Sequence, residues 1–261
     1  MMKSYDTEHK ARQALLIWIV FIIILVILNG TIPFALGTDM REWSISNTRL
    51  FLISFIIYGG VFLVIPLIIV KGWKTVRQPG FLIPLIIAVL ATSLWFYYRG
   101  IGVVAIFVLV YLHRKFNLSE LGIRTYGWKG DIFAIILSGS LRLILLYFQG
   151  PVLLYSPGKA IFSALWIMMT DPTMSLRILF YFGFLTERIS CDAGKWLTPI
   201  LIGLMFTTHE MTNPGYWYVG MDFPRVFIII TFFAFLYVWR RSVIMIWLGH
   251  GLEIFITRLI H

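Results

Sequence analysis

Histidine and glutamate side chains recur inside the apolar runs of the C-terminal half, where they could perform acid–base chemistry. His250 and Glu253 lie three residues apart, a spacing that places both on one face of a helix. A buried carboxylate beside a histidine can take a proton from water, because burial and the partner set its protonation state. The flanking Gly249 and Gly251 allow another helix to approach closely. The alternative for this pair is a hydrogen bond that only fixes helix packing.

Two further candidate groups lie at the ends of apolar runs. His209 and Glu210 are adjacent and precede an Asn-Pro dipeptide that ends the helix. The alternative for them is simple exposure to water at the helix end. Glu187 closes the preceding run beside Arg188, and the alternative for Glu187 is an ion pair at the membrane boundary. The predicted catalytic set therefore consists of Glu187, His209, Glu210, His250 and Glu253.

A buried arginine and the two histidines raise the questions of ion pairing and of metal binding. Arg142 lies within an apolar run, and we expect it to pair with a carboxylate such as Glu210 or Glu253, because an unpaired charge at membrane depth is costly. Two histidines and a carboxylate can hold zinc, but the second histidine of the His-Glu-x-x-His signature is missing. We predict no cofactor and no resident metal, with zinc kept as an alternative.

The composition restricts the class of protein. Of the 261 residues, 59% are hydrophobic and only 13% are charged, which indicates an integral membrane protein and excludes water-soluble enzyme folds. The only cysteine, Cys191, excludes a disulfide scaffold, and the aromatic content of 17% excludes intrinsic disorder. The net charge of +10 comes from short basic clusters between apolar runs. This pattern is explained by an excess of basic residues in cytoplasmic loops and argues against nucleic acid. The expected partner is membrane lipid.

The apolar runs predict an all-α, polytopic transmembrane bundle of about eight or nine spans. The first run is expected to be retained as a helix, because no signal-peptide cleavage site follows it. The segment 160–170 is too short to span and is bounded by Pro-Gly and Asp-Pro, so we expect an interfacial or re-entrant piece. The predicted helices cover residues 13–35, 48–70, 80–98, 100–113, 131–155, 176–190, 196–210, 223–239 and 242–259.

The basic residues predict the orientation. A cytoplasmic N-terminus in a plasma membrane places four basic clusters inside, as the positive-inside rule requires: Lys71/Lys74/Arg77, Arg114/Lys115/Arg124/Lys129, Arg188/Lys195 and Arg240/Arg241. The loop that follows residue 113 divides the chain. We expect residues 1–113 to form an N-terminal group of lipid-facing helices with almost no buried polar side chains, and residues 114–261 to form the functional core bundle.

Several short segments of the second half, taken in order, resemble the CPBP family of CAAX-protease and bacteriocin-processing membrane proteins. Segments 118–124 and 128–131 resemble the loop before the family core, and 183–189 resembles the end of its first motif helix. Segment 194–197 resembles the turn, and 206–209 and 248–253 resemble the second and third motifs. The resemblance covers about residues 115–260. It implies an intramembrane endopeptidase in which a glutamate and a histidine activate water and a second His/Asn pair stabilises the oxyanion.

The resemblance assigns roles to some residues and departs from the family at others. It matches His209 to the second-motif histidine, or Glu210 if the spacing of that motif is kept, and it matches His250 to the third-motif histidine. Glu253 lies near the usual asparagine, whose own position is occupied by Ile254. The first-motif Glu-Glu pair has no counterpart. A hairpin turn near residues 191–195 places Arg177 opposite His209 and leaves Glu187 about 15 Å away along the axis.

Three functions follow as hypotheses. The first is an intramembrane peptidase, of glutamic or metal-dependent type, that acts on a membrane-associated peptide or protein. The second is a non-catalytic scaffold or immunity protein that binds a peptide in the same cavity. The third is a small-molecule or proton-linked transporter with a relay through the buried ionisable groups, although the chain lacks an internal repeat. Substrate cleavage separates the first two, and vesicle flux identifies the third.

Overall fold

The computed structural model describes residues 2–124, 127–147, 154–212 and 223–260, and this part of the chain is helical without a β-strand. Three helices continue through wider π-helical segments. The helices are α1 (Met2–Val26, continued by Ile27–Thr31 and Ile32–Leu36), α2 (Met40–Ile45), α3 (Asn47–Leu52, continued by Ile53–Val64 and Ile65–Lys71), α4 (Trp73–Val76), α5 (Pro79–Leu94), α6 (Gly102–Phe116), α7 (Trp128–Tyr147), α8 (Pro157–Thr170), α9 (Pro172–Ile178, continued by Leu179–Leu185), α10 (Thr186–Met211), α11 (Phe223–Arg240) and α12 (Val243–Leu259).

The described residues contain five helical stretches that are long and apolar enough to cross a membrane, which makes the chain a helical membrane protein. These stretches are His9–Leu36, Asn47–Lys71, Trp128–Tyr147, Pro172–Met211 and Phe223–Arg240. The helices predicted at 80–98, 100–113 and 242–259 are present as α5, α6 and α12, with 16, 15 and 17 residues. They are shorter than the roughly 20 residues of a typical span.

The 40-residue stretch from Pro172 to Met211 is a hairpin rather than one straight rod. Gly194 has φ 71° and ψ 179°, a conformation that breaks the helix and that side chains with a Cβ essentially never adopt. Residues 172–193 and 195–211 therefore form two arms, and contacts such as that between Tyr181 and Phe206, with ring centroids 4.8 Å apart, hold them together. The predicted turn near 191–195 is confirmed.

Ion pairs hold several of the predicted basic loops together at one end of the helix bundle. We call this end of the bundle the basic end. Lys71 lies 3.8 Å from Glu120, and the Nε atom of Arg240 lies 3.0 Å from Asp131. These contacts join the end of α3, the loop before α7, the start of α7 and the junction of α11 with α12. The four segments therefore share one side, as the alternation of spans in the sequence predicts.

Helix α8 does not cross the bundle. The backbone N–H of Leu154, just before α8, donates to the carbonyl of Leu259 at the end of α12, far from the basic end. At the other end of α8, Thr170 packs on Gly102, the first residue of α6, so closely that a Cβ on Gly102 would lie 2.0 Å from the Thr170 carbonyl oxygen. Both ends of α8 therefore lie on the side opposite the basic end, which confirms that it is not a full span.

The helices before residue 114 share a core with those after it. The Phe62 ring stacks on the Phe180 ring with centroids 4.4 Å apart, and Phe21 also contacts Phe180 edge-on. Buried polar residues lie in this half too: Asn29 and Arg49 are only 3% and 4% exposed. The expectation that residues 1–113 carry almost no buried polar side chains is therefore wrong, because a single Asn or Arg in an apolar run does not disturb its average hydropathy.

Candidate functional site

The pair His250 and Glu253 is held together on α12. The Nδ1 atom of His250 lies 2.8 Å from Oε2 of Glu253, within hydrogen-bond distance. The Glu253 side chain is 12% exposed and the His250 side chain 36% exposed, so the carboxylate is shielded while the ring is accessible. Among the described residues this is the only direct contact between a histidine and a carboxylate. The i,i+3 spacing predicted this geometry.

The two glycines beside His250 let neighbouring helices approach the site. A Cβ on Gly249 would lie 2.9 Å from the Oγ atom of Ser138 on α7. A Cβ on Gly251 would lie 2.1 Å from the Sδ atom of Met168 on α8. The predicted close approach is therefore confirmed on both sides, and α7 and α8 flank the helix face that carries the pair.

Arg142 reaches the same region of α12 but does not pair with a carboxylate. Its Nε atom donates to Oγ1 of Thr257 at 2.8 Å, and that hydroxyl donates in turn to the Glu253 main-chain carbonyl. The described residues place no carboxylate within 4 Å of Arg142, so the predicted ion pair with Glu210 or Glu253 is wrong. Glu253 is engaged by His250 and Glu210 by Arg177, and the Thr257 hydroxyl, one turn beyond Glu253, accepts the hydrogen bond from Arg142 instead.

Glu187 belongs to a separate cluster at the basic end. Its carboxylate accepts hydrogen bonds from Arg124 at 2.5 Å and from the Tyr237 hydroxyl at 2.7 Å, and Arg241 lies 3.4 Å away. The neighbouring Arg188 instead lies over the Phe184 ring, 4.8 Å from its centroid. The boundary ion pair considered for Glu187 is thus present, but its partners come from the loop before α7 and from α11–α12.

Glu210 lies at the opposite end of the hairpin from Glu187. Its Oε1 atom lies 2.6 Å from Nη1 of Arg177 on the facing arm. The hairpin arithmetic placed Arg177 opposite His209, and the ion pair to the next residue agrees with that alignment. The carboxylate of Glu210 is 5% exposed and carries a cation against it, which suits it to holding the two arms together.

His209 is enclosed by aromatic rings rather than by acids. The rings of Phe21, Phe62, Tyr181 and Phe206 have centroids between 5.0 and 6.0 Å from that of His209. The residue is 6% exposed, and its Nδ1 atom has no hydrogen-bond partner among the described residues. The predicted catalytic residues therefore fall into three places: the pair on α12, the basic-end cluster of Glu187, and the hairpin end with His209 and Glu210.

Sequence reasoning missed a polar network beside the hairpin end. Arg49 donates from Nε to the side-chain oxygen of Asn29 at 2.9 Å and from Nη1 to the Ser44 carbonyl at 2.8 Å. Asn29 then donates to the Thr212 carbonyl at 3.0 Å, two residues beyond Glu210. The available signal was the placement of Asn29 and Arg49 inside predicted spans, where polar groups are uncommon.

The donor set for a metal is limited. The described residues contain no group of three or more His, Cys, Asp or Glu side chains that could hold a metal ion. His250 and Glu253 supply two such donors, and the third histidine or carboxylate that a catalytic zinc site requires is not among their described neighbours. We therefore assign no metal site to these residues.

Comparison with known proteins gives no further assignment. No protein-family model matches the chain, and neither a curated protein nor a solved structure matches it. The resemblance to the CPBP family therefore stays a prediction from the motifs of residues 115–260.

Proposed function

We propose that the protein is a membrane-embedded endopeptidase of CPBP type that hydrolyses a peptide bond in a membrane-associated peptide or protein. The observation that carries the proposal is the 2.8 Å contact between Nδ1 of His250 and Oε2 of Glu253. A carboxylate and a histidine at hydrogen-bond distance, one shielded and the other accessible, are the groups that water-activating hydrolysis uses.

Each group has a defined role in this mechanism. His250 donates its Nδ1–H to Oε2 of Glu253, which orients the carboxylate and leaves Oε1 to accept a proton from water. The water oxygen bonds to the substrate carbonyl carbon, and the C–N bond then breaks as Glu253 returns the proton to the leaving amine. The protonated form of His250 can donate from Nε2 to the oxyanion that forms between these steps.

The other candidate residues receive positioning roles. Glu187 is engaged by Arg124 and Arg241, and Glu210 is engaged by Arg177. Both oxygens of Glu187 are occupied by these partners and Oε1 of Glu210 by Arg177, whereas the described contact of Glu253 uses Oε2 alone and leaves Oε1 for water. The proposal therefore keeps Glu253 as the base. It also places the basic end and the N-terminus on the cytoplasmic side of a plasma membrane.

A non-catalytic relative that binds a peptide is the second candidate. It is favoured by the engagement of two of the five predicted catalytic residues, Glu187 and Glu210, in ion pairs. In this candidate the pair of His250 and Glu253 contributes polarity to a peptide-binding groove without activating water. Cleavage separates the two candidates directly.

The test compares Glu253→Gln with a matched control, Glu42→Gln, in proteoliposomes that contain a quenched fluorescent library of transmembrane peptides. Glu42 is an exposed glutamate on α2, far from α12 in sequence. The expected result is cleavage by wild type and Glu42→Gln, and a loss of at least a hundredfold for Glu253→Gln with an unchanged melting temperature. Undiminished cleavage by Glu253→Gln would overturn the assignment of the base. Peptide binding without cleavage by wild type would support the second candidate.

A further inference from the structure

Four of the ten tryptophans have a basic residue as a direct neighbour in the chain. None of the other six has a lysine or an arginine beside it. The four pairs, which we call the tryptophan–cation pairs, are Trp73-Lys74, Trp128-Lys129, Lys195-Trp196 and Trp239-Arg240.

Two of these pairs meet where the start of α7 contacts the end of α11. The Nε atom of Arg240 lies 3.0 Å from Oδ1 of Asp131, and the Arg240 guanidinium carbon lies 5.5 Å from the centre of the Trp239 ring. The Nζ atom of Lys129 lies 5.8 Å from the centre of the Trp128 ring. Each cation therefore lies over the face of its own tryptophan, and both pairs belong to the basic end.

The other two pairs lie at the same end of the bundle. The Trp196 ring lies 6.0 Å from the ring of Phe235, which is one helical turn before Trp239 on α11. Trp73 follows Lys71 by two residues, and Lys71 belongs to an ion pair of the basic end. The fold therefore brings four pairs that are far apart in the sequence to one end of the molecule.

The indole rings of the four pairs project outward from the bundle, with between 53% and 79% of each residue exposed. Among the other tryptophans that the structure describes, only Trp166 is exposed, and it lies on α8, on the side opposite the basic end. Exposure and a basic neighbour therefore coincide only at the basic end of the described chain. This points to a surface property of that end rather than to a requirement of core packing.

The lysines of three pairs have no acidic partner among the described residues. Lys74, Lys129 and Lys195 are exposed and form no described ion pair. Of the acidic side chains that the structure describes at this end, only Asp192 is outside an ion pair. The others, which are engaged by basic residues, are Glu120, Asp131 and Glu187. The basic end therefore presents an excess of positive charge.

The neighbouring parts of the sequence do not remove this excess. Residues 125 and 126, which precede α7, are a threonine and a tyrosine and carry no charge. Residues 1–12, which lead into the first span, contain three basic and two acidic residues. The charge at this end is therefore complementary to an external anionic surface.

We infer that the four tryptophan–cation pairs form a binding surface for anionic phospholipids of the leaflet in which the basic end lies. Indole rings concentrate at the boundary between lipid and water, and a lysine or arginine side chain beside them can extend to the headgroups. Anionic headgroups attract basic residues near the membrane. A zwitterionic headgroup carries its own cation and does not balance the excess. The exposed indoles favour lipid over a soluble acidic partner.

The inference is independent of the proposed hydrolysis, because it requires binding only. The probe is dioleoylphosphatidylglycerol added to delipidated full-length protein in a neutral detergent, and dioleoylphosphatidylcholine is the zwitterionic lipid with the same acyl chains. Inorganic phosphate and polyglutamate serve as the soluble anions. Native mass spectrometry and thermal unfolding report binding. We expect preferential retention of phosphatidylglycerol with a saturable rise in melting temperature, and no such rise with the other three.

The first variant removes three exposed cations from the basic end, and a control removes three exposed cations from loops and helix starts on the opposite side. The variant combines Lys74→Gln, Lys129→Gln and Lys195→Gln, and the control combines Arg41→Gln, Arg99→Gln and Lys159→Gln. Each lysine near an anionic surface strengthens binding by roughly fivefold. The variant should therefore lose at least tenfold in apparent affinity for phosphatidylglycerol, while the control binds as wild type.

A second variant tests the indole rings. Trp128→Leu combined with Trp196→Leu should weaken phosphatidylglycerol binding at least threefold, and Trp166→Leu is the control on the opposite side. Wild-type binding by either basic-end variant, or an equal loss in its control, would overturn the inference. Equal retention of phosphatidylcholine by the wild-type protein would do the same. Equal stabilisation by inorganic phosphate or by polyglutamate would overturn the assignment of lipid as the partner.

Discussion

The rings of His209 and Tyr181 lie almost parallel, with centroids 5.8 Å apart and an interplanar angle of 10°, on the two arms of the hairpin. The ion pair of Arg177 with Glu210 lies further from the bend, one turn beyond Tyr181 on the first arm and one residue beyond His209 on the second. Because residues 181 and 209 sit at similar distances from Gly194, the turn alone sets which residues face each other. The hairpin is therefore the element on which the first tests of the fold should be made.

Replacement of Gly194 by Ala should destabilise the protein by about 2 kcal/mol, since a Cβ is strained at φ 71° and ψ 179°. The measurement is thermal unfolding in one detergent. Gly158→Ala is the control, because Gly158 lies in α8 without a positive φ and has open space around it. An equal melting temperature for Gly194→Ala and wild type would contradict the turn geometry.

Breaking the pair of Arg177 with Glu210 should cost about 3 kcal/mol, because each single change leaves a charge largely buried without its partner. The variants are Arg177→Met and Glu210→Gln, and the double variant should cost clearly less than the sum of the two. The double-mutant cycle of unfolding free energies measures this coupling. Additive effects would show that the two side chains do not interact in the membrane.

Replacement of Gly251 by Ala should destabilise the packing of α12 on α8 by about 1–3 kcal/mol, because the new methyl group overlaps the Met168 side chain. Shortening the obstructing side chain should relieve the overlap. Gly251→Ala should therefore cost less free energy of unfolding in the Met168→Ala background than it costs in the wild type. Failure of the second change to compensate would argue against contact between these helices at Gly251.

The variants Glu187→Gln and Glu253→Gln should have different effects. The first should lower stability, and the second should lower the rate of cleavage. Glu187→Gln weakens contacts to Arg124, Arg241 and Tyr237 and should lower the free energy of unfolding by about 1.5–3 kcal/mol. It should leave the cleavage rate per folded molecule within a few-fold of wild type. Tyr237→Phe, which removes one hydrogen bond to the same carboxylate, is the graded control and should cost about 1 kcal/mol.

A different outcome for the variants Glu187→Gln and Glu253→Gln would be equally informative. A complete loss of cleavage by folded Glu187→Gln would return Glu187 to the catalytic set and move the site to the basic end. Melting temperatures of the two variants, measured in the same detergent, decide whether a loss of activity reflects unfolding.

The sequence by itself determined the class of protein and the local geometry. Long apolar runs specify membrane helices because lipid leaves the backbone no other partners. The i,i+3 spacing of His250 and Glu253 fixes their contact, since both lie on one helix and no tertiary information is needed. The hairpin alignment follows similarly from counting residues on both sides of one turn.

Only the tertiary structure decided which distant polar and charged groups meet. Arg124 reaches Glu187 across 63 positions and Asn29 reaches Thr212 across 183, and such partners depend on how helices pack rather than on their spacing in the chain. The same reason explains why Arg142 meets Thr257 instead of a carboxylate. Helix packing in a membrane is set by small residues and shape: Gly249 and Gly251 decide how closely α12 approaches α7 and α8, and Gly194 decides that Arg177 faces Glu210.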